Sequence, residues 1–317
     1  MRKLWIVMLV LLSAALFSCT KESDEISENK KDTTLKNSAG ITAGGMEFKV
    51  EYNTPRRVYS IDNKDLDNDG DDEIIVLSVD KDEAGDQYMD YYNFDMMQVF
   101  TMDSARKNFV KISTDTIDYG EELIYEDLEK NFKYQLLVKT NTGGNDVYAS
   151  KGMFVYDLKP DNKLEMIKYM ELGDPEIKDL NSDGNKEIVV TNSYWGIMPR
   201  PDIIYYTSDI YGMEGGELKR KNGEFKKYYD EKIDAARKRY DDEKSRLQKG
   251  EKIKPSEYPL YAATVEMFVN YMSAENNPPI AAFWNSEKDF IKKNISEEQY
   301  TDLENFVTRI TPVVENL

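Results

Sequence analysis

Asp65-Leu-Asp-Asn-Asp-Gly-Asp-Asp-Glu73 and Asp179-Leu-Asn-Ser-Asp-Gly-Asn-Lys-Glu187 are one nine-residue pattern written twice. Each puts side-chain oxygens at positions 1, 3, 5 and 9 around a glycine at position 6. Each then enters an apolar run, Ile74-Ile75-Val76-Leu77 or Ile188-Val189-Val190, of the kind that forms a buried strand. Acids at this density repel one another unless a cation sits among them. Hard oxygen ligands suit Ca²⁺, which takes six to eight oxygens. The glycine permits positive φ, so early and late ligands can converge. A solvated acidic turn would have the same composition. The recurrence, followed each time by Glu-Ile-(Ile/Val)-Val, argues against accident.

A helix-loop-helix calcium site needs a bidentate Glu at position 12. Position 12 is Val76 in the first loop and Val190 in the second, so neither is of that kind. An altered third copy, Asp127-Leu-Glu-Lys-Asn-Phe-Lys-Tyr-Gln135, leads into Leu136-Leu137-Val138. Phe132 replaces the glycine there, which makes the tight turn difficult. This copy reads as one that kept its strand and lost its metal. The three loops start 62 and 52 residues apart, a period that signals repeated units.

The loop and the strand behind it resemble the FG-GAP (or VCBS) repeat, the calcium-loop repeat of integrin-α-type β-propellers. The resemblance implies ligation by side chains 1, 3, 5 and 9 and by the backbone carbonyl at 7. The implied first site is Asp65, Asp67, Asp69, the carbonyl of Asp71, and Glu73. The implied second is Asp179, Asn181, Asp183, the carbonyl of Asn185, and Glu187. The family more often has Asp at position 9, so Glu is a departure.

Paired apolar runs follow each loop: 97–100 with 109–112, 153–156 with 164–167, and 203–206 with Leu218. Asp, Asn, Gly and Lys separate the runs, as hairpins require. The expected fold is therefore mainly β with α: a partial or small β-propeller of about three blades over 46–222, then a helical region over 223–317. Closed propellers typically have about 4–8 blades. Either a fourth blade lies near 46–60, where 46–50 alternates as a strand, or the array is open and its ends are covered. In the helical region Phe225, Tyr229, Ile233, Ala236, Tyr240 and Leu247 fall on one helical face. A second helix is expected over 258–272. A third follows Ser296-Glu-Glu-Gln299, which has the form of a capping box. Helices here would cap the open sheet edge.

The chain opens with Met1-Arg2-Lys3, an apolar run to Phe17, then Ser18-Cys19. A charged start and a short apolar stretch make a secretory signal over 1–18. Leu16-Phe17-Ser18-Cys19 resembles the bacterial lipobox, which implies acylation at Cys19 and a membrane partner through that lipid anchor. The polar stretch 19–45 reads as a flexible tether. Its Lys21-Glu-Ser-Asp-Glu25 segment resembles the surface-export signal of Bacteroidetes lipoproteins, so the expected location is the bacterial cell envelope, at the outer membrane or cell surface.

The formal net charge is −18, and loss of 1–18 takes away Arg2 and Lys3. Such a surface repels phosphate backbones, so nucleic acid is not an expected partner. There is no histidine, and Cys19 is the single cysteine. This removes Ser-His-Asp triads, Cys-His pairs and His-ligated zinc. A carboxylate pair is the surviving hydrolytic strategy, but no spacing singles one out. Three readings remain: a non-catalytic lipoprotein that binds protein or glycan, a carbohydrate-active enzyme, and a helical region that docks an outer-membrane partner. Tyr194 and Trp195, past the second loop, are the candidate ligand contact.

Overall fold

A strand made of Ile74-Ile75-Val76-Leu77 has no polar face, so it must be covered on both sides. The same holds for the runs after Gln135 and Glu187. Stacked layers meet this demand. The computed structural model describes residues 36–80, 93–146, 148–194, 205–252 and 259–310.

Strands β1 (Ser38–Ala43) and β2 (Met46–Glu51) form a separate hairpin. Seven strands then run as one antiparallel meander: β3 (Arg56–Lys64), β4 (Glu73–Asp80), β5 (Phe94–Met102), β6 (Phe109–Glu126), β7 (Gln135–Asn141), β8 (Lys151–Lys159) and β9 (Lys163–Met170). Strand β6 serves two partners. Residues 109–116 pair with β5 and 122–126 with β7, while Gly120 pairs with both, and the register shifts on either side of it. The meander thus divides into two four-stranded units that share one long strand. A third unit consists of β10 (Asp174–Lys178), β11 (Glu187–Tyr194), β12 (Tyr205–Glu214) and β13 (Glu217–Arg220). All these sheets are open.

The units pack face to face. Ile75 and Leu77 of β4 meet Leu136, Val138 and Tyr156 of the next unit. Leu137, Met153 and Val155 meet Ile188 and Val190 of the third. The outer face of the first unit, Ile74 and Val76, lies against Ala43 and Phe48 of the β1–β2 hairpin. The outer face of the third, with Val189, Tyr205 and Ile210, lies against the helices.

Four α-helices make up that last layer: α1 (Lys226–Gln248), α2 (Pro259–Ser273), α3 (Pro278–Asn294) and α4 (Glu297–Ile310). Helix α1 buries Tyr229, Ile233, Ala236 and Tyr240, one stripe at helical spacing. Helix α4 starts at the expected box: Gln299 N–H donates to Ser296 Oγ (3.2 Å) and Ser296 N–H donates to Gln299 Oε1 (3.0 Å). Buried Asn222 fastens sheet to helices. Its Oδ1 accepts from Ile210 N–H (2.7 Å) and its Nδ2 donates to the Ser273 carbonyl (2.9 Å).

The expected class, mainly β with α, holds. Three local expectations change. The strand at Met46–Glu51 exists but belongs to the covering hairpin, not to a fourth unit. Strand β1 lies inside the stretch 19–45 that composition assigns to a tether; short residues such as Ala39 and Gly40 hide its pattern. Helix α3 was not among the expected helices; Pro278 and Pro279 stand in its first turn, where they lack only N–H groups that would be unpaired anyway. Among the described residues no helix is long and apolar enough to cross a membrane.

Candidate metal centre

Each nine-residue loop joins the first and second strands of its unit, and the three loops share one set of backbone constraints. The carboxylate at position 1 accepts the N–H at position 6: Gly70 to Asp65 Oδ2 (3.0 Å), Phe132 to Asp127 Oδ2 (2.7 Å) and Gly184 to Asp179 Oδ2 (3.0 Å). The side chain at position 5 accepts the N–H at position 7 in all three. Position 9 accepts the N–H at position 2: Leu66 to Glu73 (3.0 Å), Leu128 to Gln135 (3.2 Å) and Leu180 to Glu187 (2.9 Å). Positions 4 and 6 have positive φ every time: Asn68 and Gly70, Lys130 and Phe132, Ser182 and Gly184.

Phe132 therefore does not prevent the turn. It adopts φ 66° with its ring 70% exposed. The position-1 carboxylate and the loop ends impose the conformation, and the phenylalanine bears the strain. Adjacent loops are also stitched in register. Tyr134 N–H donates to the Leu66 carbonyl (2.7 Å), and Lys186 N–H, at the same position one loop later, donates to the Leu128 carbonyl (3.0 Å).

The loops differ in what they gather. In the first, oxygens of Asp65, Asp67 and Glu73 lie within 4.8 Å of one another. Asp67 Oδ1 is buried with no hydrogen-bond partner. Burial raises the Asp67 pKa, and the charges of Asp69 and Asp65 add to it. Glu73, 2% exposed, is pushed up to about 7 by burial, against bonds from Leu66 N–H and the Thr101 hydroxyl (2.8 Å). A buried oxygen without a partner beside two converging carboxylates fits a hard cation. Asp69 lies outside the close group and Asp71 bonds Arg106 at 3.0 Å through its carboxylate. Of the implied first-site set, the structure thus brings Asp65, Asp67 and Glu73 together.

The loop at Asp179 is more open. Asp179, Asn181, Asp183 and Asn185 are exposed, while Glu187 is buried. Asn181 spends its oxygen on Asp183 N–H (3.1 Å) and its amide on Asp183 Oδ2 (2.8 Å). The Asp183 carboxyl is held below the usual range, chiefly by Asn185 N–H and the Asn181 amide, with a contribution from Lys130. The Lys130 ammonium lies so close over Gly184 that an added Cβ would meet it at 2.5 Å. Asn181, Asp183, Asn185 and Glu187, but not Asp179, border a cavity of about 200 Å³ with Glu129 and Lys221, and the five do not converge as the first set does.

Sequence reasoning missed the cross-strand partners of position 9. Thr101 donates to Glu73, whereas Asp157 accepts from Gln135 Nε2 (3.1 Å). Each partner sits one residue beyond the first ladder pair that follows position 9, Ile74 with Phe100 and Leu136 with Tyr156, and Gly212 holds the equivalent place beside Ile188 with Tyr211. A Glu faces a hydroxyl donor, and a Gln faces a carboxylate. Only the register could reveal this pairing. Tyr194 is half-buried, with its ring edge-on to Phe306 (6.4 Å, 88°) and its hydroxyl near Met272 Sδ (3.8 Å). Its side chain packs against the helices. Cys19 and Trp195 lie outside the described residues. No protein-family model and no curated protein matches the chain.

Proposed function

We propose that this chain is a lipid-anchored cell-envelope protein whose FG-GAP/VCBS-like units form a partial β-propeller stiffened by Ca²⁺, with a non-catalytic role in holding a protein or glycan ligand. One observation carries the metal reading: Asp67 has an oxygen, Oδ1, that is buried without a hydrogen-bond partner, and a carboxylate oxygen of Asp67 lies within 4.8 Å of oxygens of Asp65 and Glu73. A carboxylate oxygen in that position is costly unless a cation compensates it. The repeated loops, their shared hydrogen bonds and their stitching from unit to unit support a blade-like array. The hairpin and helices at its two ends are what an open array requires. The anchor rests on the Leu16 to Cys19 pattern.

Extracellular calcium modules often bind at about 10⁻⁴–10⁻³ M. At a Kd of roughly 0.1 mM and about 1 mM free Ca²⁺, an occupied site adds about 1.4 kcal/mol. That is a useful share of a total of about 5–15 kcal/mol. The ion is therefore structural. Thermal melting of the lipid-free chain with Ca²⁺ and with chelator tests this. Calcium should raise the midpoint by several degrees, and Asp67→Ala, which removes a member of the converging group, should remove the difference. Equal midpoints in both conditions would end the calcium reading. A second reading, a carbohydrate-active enzyme with a carboxylate pair, would require polysaccharide turnover abolished by one Asp or Glu substitution.

A further inference from the structure

Position 9 of each loop is buried, and its side chain turns back to accept the N–H at position 2, so one end of the carboxyl or amide group is anchored in all three units. What meets the other end comes from the third strand of the unit, and it differs each time. In the first unit Thr101, itself 5% exposed, donates its hydroxyl to Glu73 Oε1 (2.8 Å), while Leu66 N–H holds Oε2 (3.0 Å). In the second unit the corresponding residue is Asp157, whose carboxylate accepts from Gln135 Nε2 (3.1 Å) and pairs with Lys159 (2.8 Å). In the third it is Gly212, which has no side chain to donate. The stem of Lys221 fills that place instead: a Cβ added to Gly212 would meet Lys221 Cδ at 3.1 Å.

The pattern of β5 does not account for a threonine at 101. Met97 and Val99, which alternate with it along the strand, are fully buried and apolar. A valine would continue that face without a hydroxyl to satisfy. The hydroxyl is accounted for by Glu73. A carboxylate offers about four lone-pair sites. One donor on each oxygen fixes the plane of the group and leaves lone pairs for an ion, and oxygens of Asp65 and Asp67 lie within 4.8 Å of a Glu73 oxygen. Without Thr101 the buried Oε1 would have no protein donor holding it, and Glu73 would no longer be set in advance for a metal. A glutamate facing Asp157 would meet a second carboxylate, and the second unit carries an amide there.

We infer that Thr101 is the positioning residue of the calcium site: its hydroxyl fixes the Glu73 carboxylate as a ligand, and the lack of a donor at the corresponding Asp157 and Gly212 makes the loops at Asp127 and Asp179 the weaker sites. Partners that hydrogen-bond a ligating carboxylate typically set metal affinity by about 10–100-fold. The inference rests on the calcium reading above and assigns the residue outside the loop that sets its affinity.

The full chain is titrated with Ca²⁺ by calorimetry, and its melting is followed in chelator. Thr101→Val keeps the branched shape and removes the donor. It should weaken calcium binding by about tenfold or more, and Thr101→Ser, which keeps the hydroxyl, should restore most of the affinity. A threonine that served packing alone would change the melting in chelator and leave the calcium affinity of Thr101→Val where it was. That result overturns the inference, as does a Thr101→Ser chain that binds calcium no better than Thr101→Val. If Thr101→Val does not fold, Thr101→Cys, which offers only a weak S–H donor, carries the same comparison: reduced affinity supports the inference and unchanged affinity overturns it. An unsubstituted chain that binds no calcium removes the metal reading and the inference together, whereas calcium binding untouched by the valine removes the inference alone.

Discussion

Asp67 and Glu73 concentrate the electrostatic tension of this protein. Both are more costly as anions in the folded chain than in water, because burial strips their solvent and each lies among like charges. Two opposite responses to one substitution follow. Asp67→Asn relieves repulsion, so the chelated protein should gain stability, whereas the stabilisation by Ca²⁺ should disappear; urea melts in both conditions read the two signs. Glu73 gives a pH signature. Its folded pKa, about 7, lies above the ordinary 4.5, so protonation favours the folded state. That stability is fully present below about pH 4.5 and is lost as pH rises through 7. The chelated protein should therefore melt higher at pH 5 than at pH 8. Glu73→Gln should flatten the profile, and Gln135 shows that the loop accepts an amide there. A profile that is flat before the substitution would contradict the assignment.

The loop is the element that repeats most faithfully, and its conformation depends less on glycine than its sequence suggests. Gly70 has no heavy atom within 4 Å of a Cβ position, so Gly70→Ala tests backbone conformation alone. It should cost about 1 kcal/mol. Phe132→Gly runs the other way. It removes an exposed ring from φ 66° and should stabilise by about 0.5–1 kcal/mol, the strain relieved exceeding the entropy that glycine adds to the unfolded chain. Chemical denaturation of the chelated protein checks both. The loops at Asp65 and Asp179 were legible because they depend on nearest neighbours: an acid, a turn and an apolar run within nine residues. So was the capping box at Ser296, whose partners are three residues apart. Helix α3 was not, since proline reads as a stop until its place in a first turn is known.

Across the molecule, coverage is the organising demand. Strands β4, β7 and β11 are buried on both faces, so each unit needs a neighbour on each side. The units supply one another, and the hairpin and helices close the series. Helix α2 and its neighbours bury Val189, Tyr205 and Ile210 of the third unit. A chain truncated after residue 222 bares that face and loses the Ser273 carbonyl that Asn222 bonds. It should aggregate, with light scattering as the readout. A soluble, monomeric product with native strand content would show that the helices are a separate module. Shortening the chain at the other end, before Arg56, exposes Ile74 and Val76 and should have a smaller effect, because that cluster is smaller.

The sequence by itself determined the loops, the strands behind them, the period of the units and the helical stripes, because each depends on residues close along the chain. The tertiary structure decided that three units remain an open stack and that a hairpin and four helices cover the ends. It also decided that Asp65, Asp67 and Glu73 converge while Asp179, Asn181 and Asp183 stay exposed. The reason is physical. Two loops alike in local sequence acquire different electrostatics from what stands across the strand register and on the next unit. Thr101 faces one and Gly212 the other, and Lys130 lies over Gly184. No stretch of nine residues contains those neighbours.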